Sequence, residues 1–292
     1  MFLSKCFNRC SNLFKPGFTP MANNFNEFLT FIFLDLETTG LRRPIEITEI
    51  CLIAVQKDHL LRAAETKTEP RLIDKLSICV KPVQNIECGA SSITGINKMN
   101  LAEKREFDRK LAKVIKTFLR RQPSPSCLVA HSGDRFDFDI LASEFVNAGV
   151  KFPSEIQAAD SWKAFRKLHQ AEELKTSEAK RTTRTKLAPY TGRLSFSLGN
   201  LYKRMTGSEI ENSHTAEGDT LALLQLALKK PDVLEYLEMI AHPMGNGGKN
   251  PGLLRVKKRT VKRGKGNRGA ALNEEEIAKV QHEYFSMLEK EG

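Results

Sequence analysis

The chain has 292 residues, of which 40% are hydrophobic and 28% charged, enough length and apolar content to bury a core and to argue against a wholly disordered protein. No apolar run reaches the roughly 18 residues of a membrane-spanning helix, and six cysteines without a CxxC pair argue against a disulfide scaffold or a cysteine-ligated zinc site. The net charge of +11 is uneven, with eight basic residues and no acid between 255 and 268, which suits an anionic partner or a nuclear-import receptor.

Residues 1–24 carry Lys5, Arg9 and Lys15, and the first acid is Glu27. That composition reads either as a disordered extension or as a mitochondrial presequence, and Met21 offers an internal start. With reduced cysteines, the expected location is the cytoplasm, the nucleus or both, with mitochondrial import the lesser alternative. A folded domain is expected over 25–242. Residues 29–37 form its opening strand, closed by the turn TTG at 38–40. Ile45–Val55 and Leu76–Lys81 are strand-like and close enough in sequence to pair antiparallel. Residues 107–121 have a helical apolar stripe, 127–130 (CLVA) form a short strand, and 137–149 are again helical. The segment 171–193 is polar and basic and reads as a mobile surface loop. Helices follow at 197–206 and 216–229. A linker and basic segment occupy 243–272, and a helix N-capped by Asn273 runs through 273–292. A meander followed by strand and helix units argues an α/β protein with a mixed central sheet flanked by helices.

The chemistry begins in FLDLETTGL at 33–41. Residues two apart on a strand share a face, so Asp35 and Glu37 point together at its carboxyl end. Two convergent carboxylates suit a hard divalent cation, Mg²⁺ or Mn²⁺, although alone the pair also reads as solvated acids beside a turn. Asp137, in AHSGDRFDF, begins a helix after the strand 127–130. Asp219, in SHTAEGDTLALL, lies five residues after His214 in the first turns of another helix. Singly, each has a structural explanation: a helix-dipole acid, an exposed helical acid, a surface histidine. Together, four carboxylates and an imidazole make the set required for metal-dependent hydrolysis of a phosphodiester.

FLDLETTG, AHSGDRFDF and HTAEGD, in this order, resemble the three exonuclease motifs of the DEDDh superfamily. More narrowly, the chain resembles the three-prime repair exonucleases (the TREX family) over about residues 29–240, including SSITGI at 91–96, FLRRQPSPSCLVAH at 118–131 and FSLGNLYKRMTG at 196–207. The resemblance implies a ribonuclease H-like exonuclease fold and a homodimer joined at a sheet edge. It implies 3′→5′ hydrolysis of DNA to deoxynucleoside monophosphates, with an RNA exonuclease, a proofreading component or a non-catalytic nucleic-acid-binding protein as alternatives. Carried over by position, it assigns two Mg²⁺ ions, replaceable by Mn²⁺, to Asp35, Glu37, Asp137 and Asp219, and the general base to His214. Leu41, Ile93 and Phe136 match positions that pack on the terminal nucleotide, Arg135 is placed near the substrate phosphate, and Lys180, Arg181, Arg184 and Lys186 lie in a basic loop expected to meet the DNA backbone. Asp139 departs from the family pattern, often proline there, and is expected to point away from the site. His131 is expected to be structural and Trp162 to belong to the core.

Overall fold

The structure, a computed structural model, describes residues 27–182 and 194–244. In chain order the elements are β1 (Thr30–Thr38), β2 (Ile47–Gln56), α1 (Lys57–Thr66), β3 (Asp74–Cys79), α2 (Cys88–Thr94), α3 (Arg109–Arg121), β4 (Ser126–Ala130), α4 (Asp137–Asn147), β5 (Gln157–Asp160), α5 (Ser161–Thr182), α6 (Leu198–Thr206), α7 (Ala216–Lys229), α8 (Val233–Ile240) and β6 (His242–Pro243). The strands form one sheet in the order β3-β2-β1-β4-β5-β6. β1 pairs antiparallel with β2 and parallel with β4, β2 pairs antiparallel with β3, β4 parallel with β5, and β5 antiparallel with β6. The fold is α/β with a mixed central sheet flanked by helices, as the sequence pattern predicts.

β1 reads as an unbroken apolar run because both of its faces are covered. Phe31 and Phe33 pack into a core with Phe165 and Leu168 of α5 and Leu223, Leu224 and Leu226 of α7. Ile32, Leu34 and Leu36 point the other way, into a core with Ile115 and Leu119 of α3 and Leu141 and Phe145 of α4. Alternation along β1 therefore puts Asp35 and Glu37 on the Phe31/Phe33 face, the face that α7 covers. Parallel pairing of Thr30–Phe33 with Ser126–Val129 brings the carboxyl ends of β1 and β4 to the same edge of the sheet.

The clearest departure from expectation lies in α5. The stretch from residue 171 is helix, not loop, as far as Thr182, because α5 is anchored through Ala164, Phe165 and Leu168 and continues through residues of high helix propensity. Its exposed turns gain an ion pair from Glu172 to Lys230 and a contact between Glu173 and His169 at 3.4 Å. Lys180 and Arg181 lie within α5. Arg184, Lys186, the extension 1–24, the basic segment 255–268 and the helix expected over 273–292 lie outside the described residues. Among the described residues no helix is long and apolar enough to cross a membrane.

Candidate active site

The motif HTAEGD can be read residue by residue. Thr215 is the N-cap of α7: its side chain accepts from the Gly218 N–H at 3.0 Å, and its carbonyl accepts from Asp219 N–H at 3.0 Å. Gly218 is dictated by close approach, since a Cβ there would lie 2.2 Å from the Asn212 carbonyl oxygen. Glu217 faces outward and pairs with Lys75 of β3 at 2.7 Å. Ala216 donates its N–H to Glu49 of β2 at 3.0 Å. Asp219 is thereby presented to β1 from the first turn of α7. His214 sits just before the helix in the left-handed region, at φ 62°, and its N–H donates to Asp219 Oδ2 at 3.2 Å.

Carboxylate oxygens of Asp35, Glu37 and Asp219 all lie within 4.8 Å of one another. Asp137, the first residue of α4, is outside that trio but near enough for its charge to raise both Asp35 and Glu37. It is 5% exposed, and its carboxylate accepts from its own N–H and from that of Leu36. Neighbouring charge bears most on the two acids of β1. Burial, then the charges of Asp219, Asp137 and Glu37, raises Asp35 well above the usual carboxylate range. Burial, then Asp219, Glu49 and Asp137, pushes Glu37 up to about 9. Burial raises Asp137 to about 7 and Asp219 to about 6. Acids this crowded hold protons unless a cation replaces them. All the converging donors are carboxylate oxygens, which fits a hard divalent ion such as Mg²⁺ or Mn²⁺. Burial lowers the pKa of His214, which favours the neutral imidazole.

The other predicted positions surround this centre. Leu41 is 36% exposed on the turn after β1, and Ile93 is half-buried on α2. Phe136 precedes Asp137 and packs partly against the Ile32/Leu34 core. Arg135 is exposed, with its guanidinium over the Trp162 ring at 5.1 Å. A second guanidinium, that of Arg166, lies over the same ring at 4.5 Å. Trp162 is therefore not a core residue: it stands half-buried as a platform for two cations, because its neighbours on α5 and in the motif loop are arginines. Asp139 has Arg43 and Asp134 as its electrostatic neighbours rather than the site acids. His131 bonds Ser161 Oγ through Nδ1 at 2.9 Å and the Phe196 carbonyl through Nε2 at 2.8 Å. A carbonyl only accepts, so Nε2 carries the proton. Burial holds the His131 pKa at about 4, and the ring is a neutral tie to the start of α6.

Several supporting residues received no role from the sequence. Asp160 is buried and accepts from the N–H groups of Ser132 and Trp162, both at 3.0 Å. Asp134 bonds Lys163 at 2.5 Å and His242 at 2.7 Å, tying the loop after β4 to α5 and β6. Gly133 lets that loop turn tightly, since a Cβ there would lie 2.7 Å from both Ala130 and the Phe138 ring. Glu49 is directly opposite Glu37 in the β1/β2 ladder and shares its face.

A family model described as exonuclease matches residues 32–227. Three-prime repair exonuclease 1 of Bos taurus is 41% identical over 227 residues, spanning 73% of this chain and 68% of the relative. The chain belongs to the three-prime repair exonuclease family. Three prime repair exonuclease 2 of Homo sapiens is 36% identical over 208 residues, 69% of this chain and 83% of that one. Membership makes the protein a 3′→5′ exonuclease, a hydrolase. E. coli exonuclease I, solved in complex with a dT13 oligonucleotide, shares the ribonuclease H-like fold at a TM-score of 0.51 and 20% identity, over 71% of this chain and 43% of that one. The chain thus spans less than half the length of that enzyme.

Proposed function

We propose that this family member is a Mg²⁺-dependent 3′→5′ DNA exonuclease releasing deoxynucleoside monophosphates by a two-metal mechanism with His214 as general base. The observation that carries it is the convergence of Asp35, Glu37 and Asp219 within 4.8 Å, beside Asp137 and His214. Asp35, Glu37, Asp137 and Asp219 would hold two divalent ions, Mg²⁺ or Mn²⁺. When bound, such ions offset the charge that develops on the attacking and leaving oxygens of an in-line phosphoryl displacement.

His214 accepts the proton of the attacking water as its oxygen bonds to phosphorus. The bond from phosphorus to the 3′ oxygen of the preceding nucleotide breaks, that oxygen leaves and is protonated, and His214 returns its proton to solvent. A neutral imidazole suits this role. Leu41, Ile93 and Phe136 pack on the terminal nucleotide without reading its sequence, since every base offers an apolar face. Arg135 neutralises a strand phosphate, and Lys180, Arg181, Arg184 and Lys186 add backbone contacts. The oligonucleotide-bound exonuclease I and the repair exonucleases among the relatives support DNA as substrate.

The reading includes a homodimer joined at the β3 edge, which lacks a partner strand among the described residues; a monomeric mass in solution would exclude it. It also takes 255–268 as a contact for an import receptor and places the protein in the cytoplasm and nucleus. Truncation after Gly252 that leaves nuclear accumulation intact would exclude the receptor contact.

The central test uses end-labelled single-stranded DNA and matched RNA, with Mg²⁺ or EDTA. Wild type is expected to shorten DNA stepwise from its 3′ end only with metal, and Asp219→Ala to do nothing. Wild type that leaves DNA intact, or prefers RNA, would sink the reading.

A further inference from the structure

Two of the elements assigned to the terminal nucleotide have no anchor in the core. α2, which carries Ile93, buries none of its residues. The turn after β1, which carries Leu41, is exposed from Leu41 to Pro44. Apolar packing therefore does not set the distance between them, and polar contacts must.

Those contacts converge on Glu87. It is the N-cap residue of α2, with φ −63° and ψ 143°, and its carbonyl accepts from Ser91 N–H at 2.9 Å. An N-cap side chain normally turns back onto the N–H groups of its own helix. That of Glu87 makes no such bond. It reaches across to the other segment and accepts from Arg42 N–H through Oε1 at 2.7 Å, while the Glu87 N–H donates to the Thr39 carbonyl at 2.8 Å. One residue thus holds the turn on both sides of Leu41 and at the same time begins the helix of Ile93.

Gly40 is shaped to this arrangement. Its φ is 131°, which favours glycine, and a Cβ there would lie 2.4 Å from Glu87 Cδ and 2.6 Å from Oε1. The Glu87 side chain lies over the bare glycine. A second glutamate steadies the base of the clamp. Glu46 closes the loop through Thr39 N–H to the Glu46 carbonyl at 2.9 Å and Glu46 N–H to Thr39 Oγ1 at 3.1 Å. Its carboxylate also accepts from Val83 and Gln84 N–H, at 2.5 and 3.0 Å, holding the approach to α2.

We propose that Glu87 is a positioning residue, clamping the Leu41 turn to the Ile93 helix so that the seat of the 3′-terminal nucleotide is formed before substrate arrives. The inference rests on the nuclease reading above. The hydrogen bonds of Glu87 go to Arg42, Thr39 and Ser91 and not to the metal-site acids, so its loss acts on binding of the terminal nucleotide rather than on the chemical step.

The test uses the full chain and three variants. Glu87→Ala removes the bridge. Glu87→Ser removes it too but supplies a favourable N-cap, so α2 keeps its start. Glu87→Gln keeps an acceptor for Arg42. Loss of a charge-assisted hydrogen bond predicts KM for single-stranded DNA and Kd for dTMP both raised about fivefold to tenfold in Ala and Ser, with kcat changed less than about twofold. Amide exchange at Arg42 is expected to quicken in both, and Gln to recover most of the wild-type KM. Unchanged KM and dTMP affinity despite faster exchange would overturn the proposal, as would full recovery by Ser or a Gln variant as impaired as Ala. Wild type that neither shortens DNA nor binds dTMP would instead overturn the nuclease reading, and the clamp with it.

Discussion

The crowded carboxylates make the metal-free protein unstable in a way that a single isosteric change relieves. Burial and the charges of Asp219, Glu49 and Asp137 raise Glu37 from 4.5 to about 9. Because the folded state holds this proton more tightly than the unfolded chain does, its contribution is fully present below pH 4.5 and is lost as pH rises toward 9. At pH 7 only the interval above 4.5 counts, which amounts to about 3 kcal/mol of lost stability. Glu37→Gln keeps the shape and removes the ionisation. In EDTA the variant is expected to exceed wild type by about 3 kcal/mol at pH 7, read as a higher urea midpoint at unchanged slope. The two curves should converge as pH falls below 4.5, where Glu37 is protonated in both states. Saturating Mg²⁺ should reverse the order, since a ligand at a hundred times its Kd stabilises wild type by about 2.7 kcal/mol and finds an incomplete site in the variant. A variant no more stable than wild type at pH 8 in EDTA, or one whose advantage persists undiminished at pH 4.5, would refute the argument that repulsion dominates this site.

His214→Ala is expected to lower kcat by about 10²-fold to 10⁴-fold while Mn²⁺ affinity by calorimetry stays within about twofold, because the imidazole moves a proton and holds no metal. Gly218→Ala places a Cβ 2.2 Å from the Asn212 carbonyl oxygen. The turn bearing His214 must then shift, so kcat should fall along with about 1–3 kcal/mol of stability, measured on the same preparation. Trp162→Ala removes a surface under Arg135 and Arg166 at little cost to the core, and is expected to raise KM for DNA about threefold to tenfold with kcat nearly unchanged.

Local pattern was informative wherever one segment contained its own reason. The apolar run of β1 announces a strand covered on both faces, and the two-residue period puts Asp35 and Glu37 together whatever else the chain does. The Thr215 cap and the tight Gly218 contact both arise within the short stretch from Asn212 to Gly218. β5 escaped notice because four residues carry too little periodicity to separate a strand from a turn. The far half of α5 escaped because its polar composition resembles a loop, while the anchor that makes it a helix lies one to two turns earlier, in Phe165 and Leu168. Trp162 was misplaced because an indole is apolar in composition, and only its neighbours reveal that two guanidiniums cover it.

The sequence by itself determined the inventory of the site: which side chains can ionise, which share a strand face, and which begin a helix. Covalent neighbours and short-range periodicity suffice for that. Only the tertiary structure decided which acids converge, because β1 and α7 are far apart in the chain and meet through sheet order and packing. It placed Asp137 beyond the tight trio, set Glu49 across from Glu37, and turned Glu87 away from its own helix toward Arg42. Contacts between distant segments depend on register and on the few ångströms by which a hydrogen bond is made or missed, and no local pattern encodes them.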